Sequence, residues 1–229
     1  MFGYRTAPNS VEVEGAKSVE SHRVPEDPRI TRSRARALDA AAAVFVEQGY
    51  AGTTMQDVAK RADVAKRTLY NLYEDKDALF RATMDRSIAT AERFGETLAR
   101  DTDAVTDPQV QLPEIGLRLA EIVVTTRVLG LRRLMLVESE RFPDLAAEYR
   151  RRAPDAVLAA LARMFDSLMS AGAIRRGDPT ITAEHFAFLV MGADLDRGTF
   201  TGRVVSRRRA RLRARAGVEA FLRAYAPRH

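Results

Sequence analysis

Lys66, Arg67, Tyr70 and Asn71 crowd into six positions of the stretch TTMQDVAKRADVAKRTLYNLYEDKDALF, residues 53–80. At about 100° per residue they span one arc of a helix, while Leu69 and Leu72 fall on the opposite arc. Lysine or arginine can bond guanine O6 and N7, and asparagine can bond adenine N6 and N7. Lys66, Arg67 and Asn71 therefore suit base edges. Thr53, Thr54, Tyr70 and Lys76 suit phosphate oxygens, contacts that fix register without reading sequence. Thr53 and Lys76 are also placed at expected helix N-termini, where backbone N–H groups favour a phosphate. Thr68, between the two groups, completes the candidate DNA-binding set.

These side chains act together only if short helices hold them. Ile30, Leu38, Ala41, Phe45 and Val46 form one stripe at helical spacing, predicting a first helix from Thr31. Gly49 ends it, with Tyr50 packing back on the last turn. Thr53 with Gln56 has capping-box spacing for a second helix, whose inward face is Met55, Val58, Ala59 and Ala62. Asp63 marks the break, a third helix begins near Ala65, and a fourth runs from Asp75 toward Arg100. Two short helices joined tightly and braced by a preceding one make a helix-turn-helix, whose second helix is sized for a major groove.

Composition narrows the remaining classes. Across 229 residues, Lys and Arg outnumber Asp and Glu by 37 to 31, a net charge of +6 that permits an anionic partner. Cysteine is absent, which excludes disulfide scaffolds and thiol nucleophiles. With three histidines, one in the first thirty residues and one at the end, no metal or catalytic constellation stands out, and no Gly-rich phosphate loop occurs. The chain therefore reads as a non-enzyme without a cofactor. The longest apolar run, Ala40–Val46, is far short of a membrane span, so a cytoplasmic protein is expected. Of the four lysines, Lys60, Lys66 and Lys76 fall in the helix-turn-helix segment, consistent with compact point charges kept there.

The organisation expected is all-α: a disordered arm over 1–28, a head over 29–76 and a helical body over 77–229. Asp101–Pro113 reads as a linker. Further helices are expected at Leu112–Arg127, Leu129–Arg141, Pro143–Gly172 (kinked at Pro154), Pro179–Asp196 and a last one ending near Tyr225.

The residues "TR" at 31–32, "AAAVFVEQGYAGTTMQDVA" at 41–59 and "TLYNLYEDKDALF" at 68–80 resemble the DNA-binding head of the TetR-type (tetracycline-repressor) regulators. The resemblance implies a homodimer of nine or ten helices per subunit on double-stranded DNA, with a body that binds an unknown small-molecule effector. By position it assigns phosphate contacts to Thr53, Tyr70 and Lys76, and base contacts to Lys66, Arg67 and Asn71. Three positions depart from the family pattern: Ala65 replaces the usual serine cap, Arg67 stands where glycine is common, and Leu72 replaces a frequent aromatic or histidine. "LRRLMLVESERFPDLAAEY" at 131–149 and "FLVMG" at 188–192 resemble one C-terminal subtype more loosely.

In the body, Met135, Glu138 and Phe142 share a helical face, and with Met164, Phe165 and His185 they form the expected pocket lining. Core packing, or an arginine partner for Glu138, is the competing reading. Ile181, Phe186, Phe188, Leu189, Val190, Met191 and Leu195 surround most of their helix. One stripe suffices for a helix to pack on its own body, so the second predicts a partner. Phe188, Met191, Leu195, Leu212 and Phe221 are thus the expected dimer seam. The arginine run from Arg203 to Arg215 reads as solvated surface or as pairing with acids across the dimer, with a second anion site, for ligand or nucleic acid, as the alternative. The function expected is a transcriptional regulator, most simply a repressor, that leaves a pseudo-palindromic operator when its effector binds. Two alternatives stand beside it: a non-specific basic DNA-binding protein, and a regulator whose body no longer senses a ligand.

Overall fold

A computed structural model describes residues 27–102, 107–124, 126–203 and 205–227. Eleven helical segments follow one another: α1 Pro28–Gly52, α2 Met55–Ala62, α3 Lys66–Leu72, α4 Lys76–Thr102, α5 Pro108–Val123, α6 Thr126–Val137, α7 Pro143–Arg152, α8 Pro154–Ser170, α9 Pro179–Met191, α10 Ala193–Thr201 and α11 Arg207–Tyr225. No strand occurs among the described residues, and no helix there is long and apolar enough to cross a membrane. Breaks at Ala153 and Gly192 split two longer runs, which accounts for the difference from the expected nine or so.

Local chemistry explains where the helices begin and end. Asp27 caps α1 by accepting from the Arg29 N–H, with Pro28 in the first turn. All but the last two residues of the expected arm lie outside the described residues, and those two, Asp27 and Pro28, belong to this helix start. Asp178 caps α9 through the Thr180 and Ile181 N–H groups, again ahead of a proline. The linker expected over 101–113 is shorter than predicted. Asp107 caps α5 at Gln109 and Pro108 opens it, so Pro113 lies inside a helix, and Asp101 and Thr102 still belong to α4. The helix expected over Pro179–Asp196 ends at Met191, because Gly192 takes φ 56°. A short helix, α10, then restarts, one that no periodicity had announced.

The apolar side chains form two clusters. One unites α5, α8, α9 and α11 around Phe165, Phe186 and Phe221, whose rings meet edge-on or tilted at 5.0–5.4 Å. Gly217 lets α11 ride on the α9 backbone: a Cβ there would strike the Leu189 carbonyl and lie 2.8 Å from the Val190 nitrogen. The other cluster holds α1, α2, α3 and the start of α4, and it also takes in Leu131, Leu134 and Met135 of α6, with Phe142 and Leu145 beyond. The first four helices therefore do not close a core alone. Helix α4 serves both clusters, giving Leu79, Phe80 and Met84 to one and Phe94 to the other.

Polar groups lock the packing at two points. Asp194, buried at the start of α10, accepts from Arg209 at 2.8 and 3.1 Å, with Arg197 and Arg213 also within 4 Å. This pairing lifts the Arg209 guanidinium's pKa through its hydrogen bonds to that carboxylate. Arg211 bonds Glu121 at 2.9 Å, so part of the arginine run is spent on acids of its own subunit. At the other point the Tyr50 hydroxyl donates to Asp77.

Burial, and then the Asp77 hydrogen bond, push the Tyr50 phenol up from 10.0 to about 12. A raised folded-state value means that folding favours the protonated form. Its contribution is complete below pH 10 and is lost as pH climbs toward 12. Tyr50→Phe should flatten the fall of the urea midpoint across that interval. An equally steep fall in the variant would show that Tyr50 does not set the alkaline limit.

Candidate nucleic-acid interface and body cavity

Helix α3 is anchored on a single fully buried side chain, Leu69. Its remaining surface is free to face outward. The turn before it is held by Asp63, whose φ of 51° lets its N–H reach the Lys60 carbonyl at 3.2 Å. Arg36 of α1 grips the same residue, bonding its carbonyl at 3.1 Å and its carboxylate at 2.7 Å. Arg61 of α2 forks onto Glu47 of α1 at 2.6 and 3.0 Å, and that bond draws the Glu47 carboxyl below its ordinary pKa. Together these contacts fix the angle between the bracing helix and the helix-turn-helix.

On this scaffold Lys66, Arg67, Tyr70 and Asn71 are all exposed, and Thr68 is partly so. The Lys66 ammonium lies 5.8 Å from the Tyr70 ring centroid, close enough for a cation–π contact. Among the described residues no acid pairs with Lys66 or Arg67, so the face is electropositive. Ala65 gives α3 no side-chain cap.

Three sequence-based placements change. The cap of α2 is Thr54, which accepts from the Asp57 N–H at 3.1 Å and donates to its carboxylate at 2.6 Å. The pair Thr53 and Gln56 is one residue out of register. Thr53 is only 1% exposed, and its hydroxyl donates to the Gly49 carbonyl at 2.7 Å, so it braces the kink instead of reaching outward. Lys76 also turns inward. Its ammonium donates to the carbonyls of Tyr50 and Thr53 at 3.0 Å each, and lies 4.4 Å from the Tyr50 ring centroid. It neutralises the carbonyl end of α1, and Asp75 caps α4 at the Ala78 N–H.

A second group, missed by motif reading, joins head and body. Phe142 meets the Tyr50 and Phe80 rings at 5.3 and 5.0 Å, and the Arg141 guanidinium lies 4.4 Å from the Tyr50 centroid. Arg81 of α4 forks onto Asp144 of α7 at 2.6 and 3.2 Å. An arginine beside an aromatic in RFPDL was the available signal.

The body holds a partly open cavity of about 150 Å³ between α4, α5, α6, α7, α8 and α9, lined by Phe94, Leu119, Arg132, Tyr149, Val157 and Met191 among others. None of the six expected pocket residues lines it. Met135 and Phe142 are buried in the head-side cluster, and Met164 and Phe165 in the aromatic core. Glu138 lines a separate cleft at the seam of α1 and α6. His185 is exposed on α9, its Nδ1 2.6 Å from the Tyr225 hydroxyl. Helical periodicity identifies an inward face, and most inward faces are packed solid.

The expected seam is also redrawn. Phe221 is fully buried within its own subunit, and Met191 and Leu195 turn inward onto the cavity. Phe188 also lines the cavity but is 56% exposed, and Leu212, 61% exposed, faces out with Ile181 and Leu189.

Comparison with known proteins agrees with this geometry. Residues 110–227, more than half of the chain, match the AefR-like transcriptional repressor C-terminal domain, and residues 37–83 match the tetR family of bacterial regulatory proteins. The HTH-type transcriptional regulator BetI of Burkholderia thailandensis is 30% identical over 165 residues, 63% of this chain and 83% of that protein. A TetR-family regulator of Mesorhizobium loti superposes with a TM-score of 0.75 at 27% identity, covering 87% of this chain and all of the other. The flavonoid-responsive regulator FrrA superposes at 0.58 and 26% identity, with 87% of this chain and 100% of that one covered. A head that presents the exposed face of α3, carried on an AefR-like helical body, places the chain in the TetR family of DNA-binding transcriptional regulators, a non-enzymatic family.

Proposed function

We propose that the protein is a homodimeric repressor whose body cavity takes a small-molecule effector that releases the DNA. The observation that carries this reading is the course of α4. Ser87, Thr90, Ala91 and Phe94 line the cavity, and Lys76, Leu79 and Phe80 of the same unbroken helix build the head. At 1.5 Å rise per residue, Lys76 and Thr90 are about 21 Å apart along one rigid rod. A ligand that displaces the cavity end must move the head end as well.

Dimerisation is supported by the apolar side chains left in water. Ile181, Phe188 and Leu189 on α9 and Leu212 on α11 lie exposed on adjacent, tightly packed helices. A face of that size on two helices suits pairing with its own copy into a four-helix seam. Two heads would then engage half-sites about one DNA turn apart, roughly 34–36 Å. The likeness to a regulator described as flavonoid-responsive supports a body that answers to small molecules. Such a protein would act in the cytoplasm, on chromosomal DNA.

Arg67, Lys66 and Asn71 remain the base readers in this reading, and Tyr70 and Thr54 the outward phosphate contacts. Lys76 and Thr53 act behind them, as braces. Arg67→Ala should cost about 1–3 kcal/mol on the selected operator and relax the preference at one base pair of each half-site. Tyr70→Phe should weaken all sequences alike, by about 1 kcal/mol. Selection from random duplex DNA followed by fluorescence anisotropy reads both, and an unaltered preference in Arg67→Ala would remove that residue from base reading. Leu212→Glu should yield a monomer in sedimentation and abolish operator binding while leaving helicity intact. A dimeric Leu212→Glu protein would move the seam elsewhere.

A further inference from the structure

The cavity in the body is apolar on nearly every side, with Phe94, Leu119, Val157 and Leu195 among its walls, and its volume is about 150 Å³. A cavity of about that size lined by similar side chains accepts a benzene ring. One half-buried cation on the wall breaks the pattern. The Nε of Arg132, on α6, is out of contact with water and has no hydrogen-bond partner, and no acid pairs with Arg132 among the described residues. The other arginine at the wall, Arg150, is exposed and bonded to Asp155 at 2.6 Å. Arg81, Arg152 and Arg209 likewise hold carboxylates. Leaving a guanidinium donor buried and unsatisfied is costly, so the position calls for an acceptor. Tyr149 shares this wall, and burial raises its phenol pKa, so it keeps a proton to donate.

We infer that the cavity is built for a ring-sized monocarboxylate, its carboxylate accepting from Arg132 and the Tyr149 hydroxyl and its hydrocarbon part lying between Phe94, Leu119 and Leu195. The inference rests on the reading of this cavity as the effector site and supplies the ligand's chemical class. It also supplies a lever. Arg132 is flanked by Leu131 on one side, with Leu134 and Met135 a turn or less away, and these three are packed in the head-side cluster. A carboxylate that draws Arg132 inward pulls on the helix that the head rests upon.

The test is calorimetric titration of the full-length protein with sodium benzoate and with benzamide, a neutral isostere. Benzoate should bind at least about tenfold more tightly. Arg132→Gln should erase that preference and keep the benzamide affinity, and Tyr149→Phe should weaken benzoate about three- to tenfold with an unchanged melting temperature. Equal binding of the two probes by the unmodified protein, undiminished benzoate binding by Arg132→Gln, or no heat from either probe at saturation would each overturn the inference. Operator release, followed in parallel, separates it from the parent reading. Benzoate binding with the operator retained would keep the anion site and remove the effector role. Release as efficient with benzamide as with benzoate would keep the effector role and remove the carboxylate.

Discussion

Tyr50 is the point on which both halves of the molecule bear. Its ring contacts Phe45, Phe80 and Phe142, its hydroxyl donates to Asp77, and the cations of Lys76 and Arg141 each lie 4.4 Å from its centroid. The chain arrives there through the positive-φ turn at Gly49, which Thr53 closes from the other side. One aromatic side chain thus joins the end of α1, the start of α4 and the turn between α6 and α7. Edge-on aromatic contacts and cation–π contacts have geometric optima. The knot therefore prefers discrete arrangements to a continuous range, as a switch requires.

The three-helix head was legible because its signals are local. Gly49, Asp63 and the stripe Met55, Val58, Ala59 and Ala62 dictate kink, turn and inward face within a few residues, and a polar arc on α3 has few other uses. The one-residue slip at Thr53 and Thr54 shows the limit: two adjacent threonines offer the same hydroxyl, and only the surrounding fold decides which turns in. Lys76 was misjudged for a similar reason. A lysine at a helix start can serve a phosphate, but here the carbonyl end of α1 lies nearer and takes its three donors. The body was less legible. Met164, Phe165 and Phe221 show the same periodicity as true cavity walls, because packing against neighbours and bordering a void look alike along one helix. Arg132 and Tyr149 became visible only once six helices had been brought together.

Charge follows a similar division. Part of the run from Arg203 to Arg215 pairs with acids, and those acids are in its own subunit: Arg209 and Arg213 surround Asp194, and Arg211 is bonded to Glu121. No local pattern announced Asp194, which lies fifteen residues before Arg209 and is almost wholly buried. Removing one partner of so buried a carboxylate would strand the other charges, so these arginines belong to the body's architecture. Three other cations stand apart from such pairs: Lys66 and Arg67 on the outer face of α3, and Arg132 at the cavity wall. In the proposed reading these meet external anions, phosphate at α3 and carboxylate at the cavity.

Energetics then constrain how the two sites talk. A ligand shifts a conformational equilibrium only by the ratio of its affinities for the two states. A cavity of about 150 Å³ admits few atoms, and a tenfold ratio at each of two cavities in the proposed dimer supplies about 2.7 kcal/mol in total. So small an input can act only on a seam whose two arrangements are nearly balanced. The contacts between head and body suit this. Arg81 and Asp144 pair at 42% and 64% side-chain exposure, and Arg141 approaches Asp77 no closer than 3.9 Å. Exposed pairs of this kind contribute about 0–1 kcal/mol each, so they can be exchanged at little cost. The rigid parts of the path are α4 and α6, and the soft part is the salt-bridged seam beside Tyr50. In the proposed mechanism that ordering would let a small ligand reposition a whole head without having to unpack either core.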